Sequence, residues 1–482
     1  MGHPPNASSL RISGPISAKN SVSRPETRYL RELSREEGTP VLLRFRVENH
    51  ASLLQEQELS LVAADRDDDN SLTFAVPGSG LRALPVTALF GANASGKSNV
   101  VRALSYLRQA VLDSHRRWQP GGGVQRLPFL LAEDGRERPS TFAVDIVVDE
   151  VRHEYGFSVD DHRVLAEWLY SYPHRKRRKL FVRDGDDFDY GDTFRGERKL
   201  IEHVVRPNSL YLSAGASNNH PVLGRLYQWF HRRLRIATDA NYTQRFGETM
   251  SLWSGSERDQ IDSLLRYADT GAETFEVSEE ATSEEEMNRV LQLLRLINPE
   301  NYDEADVVQS LKSRRSVRLA HRATGGALVT LDPELESSGT RTWTGLLGPV
   351  VSALNDGSVL VVDELDARLH PLLAARLVRL FQERQSNPRG AQLIFNTHDT
   401  TLLAPTSEAR LRRDQVWLTE KSQTDDGTVT QGATELVALL EYRPRDRGEN
   451  LEKRYLAGRY GALPHFDEEL VESLSTGRET AR

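Results

Sequence analysis

The sequence predicts an α/β fold: a mixed sheet flanked by helices, carrying an inserted helical lobe and an antiparallel β-subdomain. Three observations predict it. The runs "LPVTALF", "SVLVV" and "QLIFN" are apolar throughout and strand-length, the pattern of strands buried on both faces. Segments with helical spacing follow the first two of these runs, and strands alternating with helices indicate a parallel, helix-flanked sheet. Between Ser140 and Gly185 the runs "STFAVDIVVDEVRHEYGFSV" and "RRKLFVRDG" have instead the character of β-hairpins, which places them in a second sheet.

The chain has 482 residues, enough for two or three lobes around a large core. Hydrophobic residues make up 38% and charged residues 27%, as in a globular protein with long polar connections. No run of about 18 apolar residues occurs, so no membrane span is expected. The N-terminal stretch lacks an apolar signal region. With no cysteine there are no disulfides and no thiolate metal sites, which suits a cytoplasmic location. The formal net charge of −8 argues against coating nucleic acid by bulk charge.

Along the chain, residues 1–38 are rich in Ser, Pro, Asn and Arg without apolar periodicity and are expected to be a disordered arm. Val41 to Ala63 gives two strands. Leu84 to Phe90 is a buried strand, and Val100, Leu104, Leu107 and Val111 then mark a helix from about Lys97 to His115. The first core part is thus 39–207. A helical insertion lobe is expected over 208–316, with a helix from His220 to Arg235 and another opened by a capping box at Ser283 and Glu286. The second core part is 317–482. It holds the helix "TRTWTGLLGPVVSALND", the strand "SVLVV", a helix to about Gln385, the strand "QLIFN" and the strand "DQVWLTEK". Pro349 inside the first of these helices predicts a bend.

The segment from Gly91 to Ser98, "GANASGKS", matches G-x-x-x-x-G-K-[ST] in full, with the required strand before it and helix after it. Glycines at 91 and 96 let backbone N–H groups close on phosphate oxygens, and the helix start adds its positive dipole end. Gly91, Asn93, Ser95, Gly96, Lys97, Ser98 and Asn99 are therefore the expected phosphate-binding set. Lys97 would reach the outer phosphates and the Ser98 hydroxyl would ligate Mg²⁺. A chance glycine turn would lack these flanking elements.

Partners are sought where neighbouring strands stop, since ligands in open α/β sheets sit at strand carboxyl ends. "SVLVVDELD" delivers Asp363 as the Mg²⁺ acid and Glu364 as the general base, and "QLIFNTHD" delivers His398 beside the outer phosphate. "ESSGT" puts Ser338 and Gly339 at a helix start, a second anion site.

These pieces in this order resemble ATPases of the ABC type. "ESSGT" resembles the signature of the OLD-like branch. "FRVENHASL", "GANASGKSNVVRAL", "VVDELDARLHP", "IFNTHDTTLL" and "YLAGRYGALP" look like RloA- and AbiL-type ATPases of bacterial restriction-linked and abortive-infection loci. The resemblance runs from Val41 to Pro464. It implies an ABC-type P-loop NTPase core binding ATP and Mg²⁺, with Lys97, Glu364 and His398 catalytic and Asp363 the Walker B acid. It further implies that Ser338 and Gly339 contact the nucleotide of a second protomer, with Asp366 in the loop crossing between them. One motif set per chain then requires a homodimer or higher homo-oligomer. Gln125 is the candidate for the glutamine of the loop linking core and helical lobe, and Phe45 lies where an adenine-stacking aromatic would arise.

After His398 the sequence has no Asp-x-Asp cluster of a metal-dependent nuclease, so nucleic-acid cleavage would fall to a separate, nuclease-like effector. The expected function is the ATP-hydrolysing sensor of an anti-phage system, with DNA or a phage-derived molecule as its candidate trigger. The alternative is a DNA-repair ATPase of the SMC/RecF type that clamps DNA, for which the long coiled coil is absent. The basic run "HRKRRK" (174–179) and the basic face of the 220–235 helix fit an exposed turn and a core-facing helix better than a nucleic-acid groove.

Overall fold

The computed structural model describes residues 41–64, 73–281, 288–289, 291–292, 313–423, 429–444 and 449–464. The N-terminal arm, the capping box at Ser283 and Glu286, and the C-terminal end lie outside these residues.

Strands β1 (Val41–Glu48) and β2 (Gln57–Ser60) lead through the two-residue strands β3 (Phe74–Ala75) and β4 (Arg82–Ala83) to β5 (Val86–Gly91). Helix α1 (Lys97–Asp113) follows. Then come β6 (Ser140–Val148), β7 (Val151–Val159), β8 (Val164–Ser171), β9 (Arg178–Asp184) and β10 (Asp187–Tyr190). Helices α2 (Arg198–Val204), α3 (Tyr211–Ser217) and α4 (Pro221–Gln228) precede β11 (Leu234–Ala237). Helices α5 (Tyr242–Trp253) and α6 (Arg258–Tyr267) then lead to a sheet of β12 (Ala272–Ala281), β13 (Ser313–Arg322) and β14 (Leu328–Leu331). The chain closes with α7 (Ser338–Asp356), β15 (Val359–Val362), α8 (Pro371–Gln382), β16 (Gln392–Asn396), β17 (Val416–Gln423), β18 (Val429–Ala438) and α9 (Leu451–Leu456).

The core is a six-stranded mixed sheet in the order β11-β15-β16-β5-β17-β18, parallel except for the last pair. Every residue of β5, β15 and β16 is buried, and their side chains part with the two-residue period of a strand. Leu89, Val359, Val361 and Ile394 face a core shared with α1 and the second sheet. Phe90, Leu360, Val362, Leu393 and Phe395 face one shared with α7 and α8. Continuous apolar runs are what two buried faces require. The second sheet is seven-stranded and antiparallel, β10-β9-β8-β7-β6-β1-β2. Gln392 joins the sheets: its amide accepts from Leu42 N at 2.8 Å and donates to the carbonyls of Leu42 and Leu84 at 3.0 and 3.1 Å.

Two local expectations are revised. The helix expected from His220 to Arg235 stops at Gln228; a wider turn takes Trp229 to Arg233, and Leu234 to Ala237 form the edge strand of the core sheet. Arg108 allows this ending, because its guanidinium donates to the carbonyls of Phe230 and Leu234 at 3.0 and 2.7 Å where helical partners stop. The segment from 208 therefore contributes to the core sheet as well as to helices. Pro349 sits within a continuous α7. Proline cannot donate to the carbonyl four residues back, and Arg245 supplies a donor to that Gly345 carbonyl at 3.2 Å. One residue earlier, Gly348 N turns to Thr249 Oγ1 at 2.9 Å while that hydroxyl donates to Thr344 O at 2.8 Å. Helix α5 thus supplies the partners that α7 lacks.

Candidate nucleotide site

Strands β15, β16 and β5 are adjacent and parallel, so their carboxyl ends open at one edge of the sheet. Three loops leave there: Gly91 to Gly96 after β5, Asp363 to Asp366 after β15, and Thr397 to Asp399 after β16.

The first loop is a backbone cradle. Gly96 has φ 104° and caps α1, whose first residue is Lys97. A Cβ at Gly91 would lie 2.3 Å from Thr419 Oγ1 and 2.7 Å from Ser95 Oγ, and one at Gly96 would lie 2.1 Å from Thr434 Oγ1. Neither position accepts a side chain without displacing the loop. Ser95 Oγ is buried 2.5 Å from Thr419 Oγ1, and Asn99 donates to Ser52 Oγ at 2.7 Å. Both side chains are thus engaged in holding the loop to β17 and to the β1–β2 connection. Asn93 is exposed at the tip.

Lys97 is 5% exposed. Its ammonium donates to Gly91 O at 2.7 Å and Ala92 O at 2.9 Å, and lies 3.4 Å from His398 Nδ1. Burial lowers its pKa to about 8, against the opposing pull of Asp366, Glu364 and Asp363. His398 is likewise held below its ordinary value, by burial first and the Lys97 charge second. Its backbone N–H donates to the Asp366 carboxylate at 3.2 and 3.3 Å.

Asp363 and Ser98 meet through a residue that the sequence reading left without a role. Asn396, fully buried at the end of β16, donates from Nδ2 to Asp363 Oδ1 at 2.6 Å and to Ser98 Oγ at 3.2 Å. Its Oδ1 accepts the N–H of Glu364. Glu364 itself has φ 56°, a left-handed conformation that non-glycine residues seldom adopt, and its side chain is exposed. Placement at the end of a strand paired to both motif strands was the signal for Asn396.

The donor set suits a magnesium nucleotide. Ser98 and Asp363 bring a hydroxyl and a carboxylate oxygen to one hydrogen-bond donor, the loop presents N–H groups around a buried ammonium, and His398 closes the same space. Among the described residues no group of three or more His, Asp or Glu side chains is arranged to hold a metal. Mg²⁺ fits such a site because it is usually held by one or two protein oxygens together with substrate phosphates and water.

Ser338 and Gly339 lie elsewhere in their contacts. They begin α7 behind the cap Ser337, whose Oγ accepts from Thr340 N at 3.0 Å. A Cβ on Gly339 would meet Arg368 O at 2.6 Å, so the helix tip packs on the chain that follows Asp366. Gln125 is exposed in an irregular loop. Phe45 is 1% exposed inside the core of the sheet and is not placed to stack on a base. The basic run 174–179 lies at the β8–β9 turn, with Arg177 3.7 Å from the Tyr170 ring. Arg225, on the basic face of α4, pairs with Asp149 at 3.0 Å. No helix among the described residues is long and apolar enough to cross a membrane.

Residues 86–404, more than half of the chain, match the family model described as "AAA domain, putative AbiEii toxin, Type IV TA system". None of the curated proteins matches in sequence. Among solved structures, the SMC head domain from Thermotoga maritima is 14% identical, covering 82% of this chain and 98% of that one at a TM-score of 0.30. The Smc head domain bound to the C-terminal domain of ScpA, derived from Pyrococcus furiosus, is 12% identical and covers 87% and 98% at 0.35. The recombination mediator protein RecF with ATP is 14% identical and covers 84% and 100% at 0.28.

Proposed function

The chain belongs to the AAA-domain family of P-loop ATPases whose model it matches, and from that premise we propose that it is a magnesium-dependent, ABC-type ATPase whose site is completed by a second copy of itself. The observation that carries this reading is the convergence of Lys97, Ser98, Asp363 and His398, with Glu364 at the rim, where three adjacent parallel strands end.

The chemistry assigns itself by position. The loop N–H groups and Lys97 bind and orient the phosphates. Ser98 and Asp363 would hold Mg²⁺, which when bound neutralises charge on the transferring phosphoryl group. Glu364, exposed at the pocket mouth, takes a proton from the attacking water as general base. His398 donates a hydrogen bond near the outer phosphate. Ser338 and Gly339 form a helix start facing out of their own pocket, which suits them to close the pocket of a partner copy.

In the cell, this ATPase acts as the sensor of an RloA/AbiL-type anti-phage system that controls a separate effector. The motif set supports this, as does the family description's naming of an abortive-infection toxin and a toxin–antitoxin system. Two experiments test the reading. ATP turnover should require Mg²⁺ and rise more steeply than linearly with protein concentration; strictly linear turnover would remove the paired site. Cells carrying the chain with its genomic neighbours should lower phage plaque counts, and the Lys97→Ala form should not. Equal counts, together with tight ATP-dependent DNA binding, would replace the defence role with a DNA-clamping one.

A further inference from the structure

Asn396 joins three parts of the site that are far apart in sequence. Its Nδ2 reaches Asp363 Oδ1 at 2.6 Å and Ser98 Oγ at 3.2 Å, its Oδ1 takes the N–H of Glu364, and its backbone carbonyl takes Leu365 N at 3.0 Å. The orientation of the amide is fixed by chemistry. The Glu364 N–H can only donate, so it must face Oδ1, and the Asp363 carboxylate accepts, so it must face the NH₂ group. Turning the amide over would set two donors against each other and an oxygen against a carboxylate. The residue has no accessible surface, and no other side chain among the described residues is hydrogen-bonded both to Asp363 and to Ser98.

We propose that Asn396 is a positioning residue that couples the cation site to the catalytic carboxylate. One side of its amide gathers the two oxygens that would ligate Mg²⁺, its two hydrogens occupying the direction those oxygens share. The other side holds the Glu364 backbone in its left-handed turn. Any cation entering between Ser98 and Asp363 competes with the Nδ2 hydrogens, and the resulting shift of the amide reaches Glu364 through a single hydrogen bond. The site therefore reports the presence of its cation to the base that activates water. This inference rests on the magnesium ATPase reading above.

The test uses the full chain and two variants, Asn396→Ala and Asn396→Asp. The second keeps an acceptor for the Glu364 N–H and exchanges the NH₂ group for an oxygen. Three quantities are measured: Mn²⁺ affinity by electron paramagnetic resonance with a non-hydrolysable ATP analogue, equilibrium binding of ATP without divalent cation, and the separate kcat and KM of turnover. Expected for Asn396→Ala are metal-free ATP binding unchanged, Mn²⁺ affinity weakened about tenfold as for loss of a ligand-orienting partner, and a fall in kcat of about 10²-fold with little change in KM. Asn396→Asp should regain Mn²⁺ affinity while kcat stays low. Wild-type Mn²⁺ affinity and kcat in both variants would overturn the proposal, as would parallel loss of ATP binding and folding in Asn396→Ala with Asn396→Asp fully active. A wild-type chain that neither binds nor hydrolyses ATP would instead overturn the function on which it rests.

Discussion

Nζ of Lys97 lies 3.4 Å from Nδ1 of His398, so the loop cation and the imidazole of the neighbouring strand bound one small space. The Lys97 ammonium has only donors, so Nδ1 faces it as an acceptor and the ring proton sits on Nε2. Neither group is at its ordinary pKa, and burial is the first cause for both. A phosphate entering this space supplies the negative charge that the buried ammonium lacks.

That relationship gives ATP binding a pH dependence of known sign. The free protein's Lys97 loses its proton near pH 8, and a bound phosphate raises that pKa. Affinity is therefore level below about pH 7.5, falls above pH 8 as the free lysine is neutralised, and approaches a loss of about tenfold per pH unit. Above pH 8 each ATP bound should draw up to about one proton from buffer. Calorimetry in buffers of differing ionisation heat measures this directly. A Lys97→Arg form should show no such uptake, and uptake persisting in it would assign the proton to another group.

Glu364→Gln separates binding from chemistry. The carboxylate is exposed at the mouth of the pocket, and the hydrogen bond that fixes the residue runs from its backbone to Asn396. An isosteric amide leaves that bond intact and removes the base. Turnover should fall about 10²- to 10⁴-fold while ATP affinity stays within a few-fold of wild type. Turnover within about threefold of wild type would take the general base away from this position.

Strands that are buried on both faces must be apolar along their whole length, so β5, β15 and β16 were legible in the sequence, and the motif residues at their ends with them. The contribution of Leu234 to Ala237 was hidden by its own neighbours. Leu223, Leu226, Phe230 and Leu234 keep helical spacing, and only the capping of carbonyls by Arg108, remote in sequence, ends the helix early. Asn396 was hidden for a related reason. A polar residue at a strand end is common, and its importance comes from Ser98 and Asp363, which adjoin it only after the three strands have paired. Phe45 shows the reverse error: its position in β1 was right for a base contact, but the two-residue period turns it into the core.

The stability of the fold should fall in mild acid, with His220 a measurable part of the effect. This imidazole is 2% exposed, stacks on Phe194 with ring centroids 4.7 Å apart, and accepts Leu223 N on Nδ1 at 3.3 Å as the cap of α4. Burial lowers its pKa to about 4. Above pH 6.5 it is neutral in both states. Between about pH 6.5 and 4 the unfolded chain takes up a proton that the folded chain refuses, so stability is lost as pH falls, by on the order of 2–3 kcal/mol for this one group. Asparagine is a good helix cap and does not titrate. Denaturant midpoints for His220→Asn should therefore change less between pH 7 and pH 5 than those of wild type, and equal changes would mean that His220 is not neutral in the fold.

Whether Ser338 and Gly339 serve a second copy can be decided by mixing two inactive chains. Ser338 is exposed at the start of α7, so Ser338→Arg can block whatever meets that helix tip without disturbing the core. Lys97→Ala removes the buried ammonium from the loop. Each variant alone should be inactive, the first while still binding ATP and the second through its loss. If the helix tip acts across a pair, a mixed pair contains one intact site: loop, Asp363, Glu364 and His398 from the Ser338→Arg chain, and Ser338 and Gly339 from the Lys97→Ala chain. Random exchange makes about half of the pairs mixed, with one working site in two, so turnover should recover to about a quarter of wild type. If the tip served its own chain, every site in every pair would carry one defect. No recovery, in a mixture shown by sedimentation to contain mixed pairs, would then leave each pocket to work within a single chain.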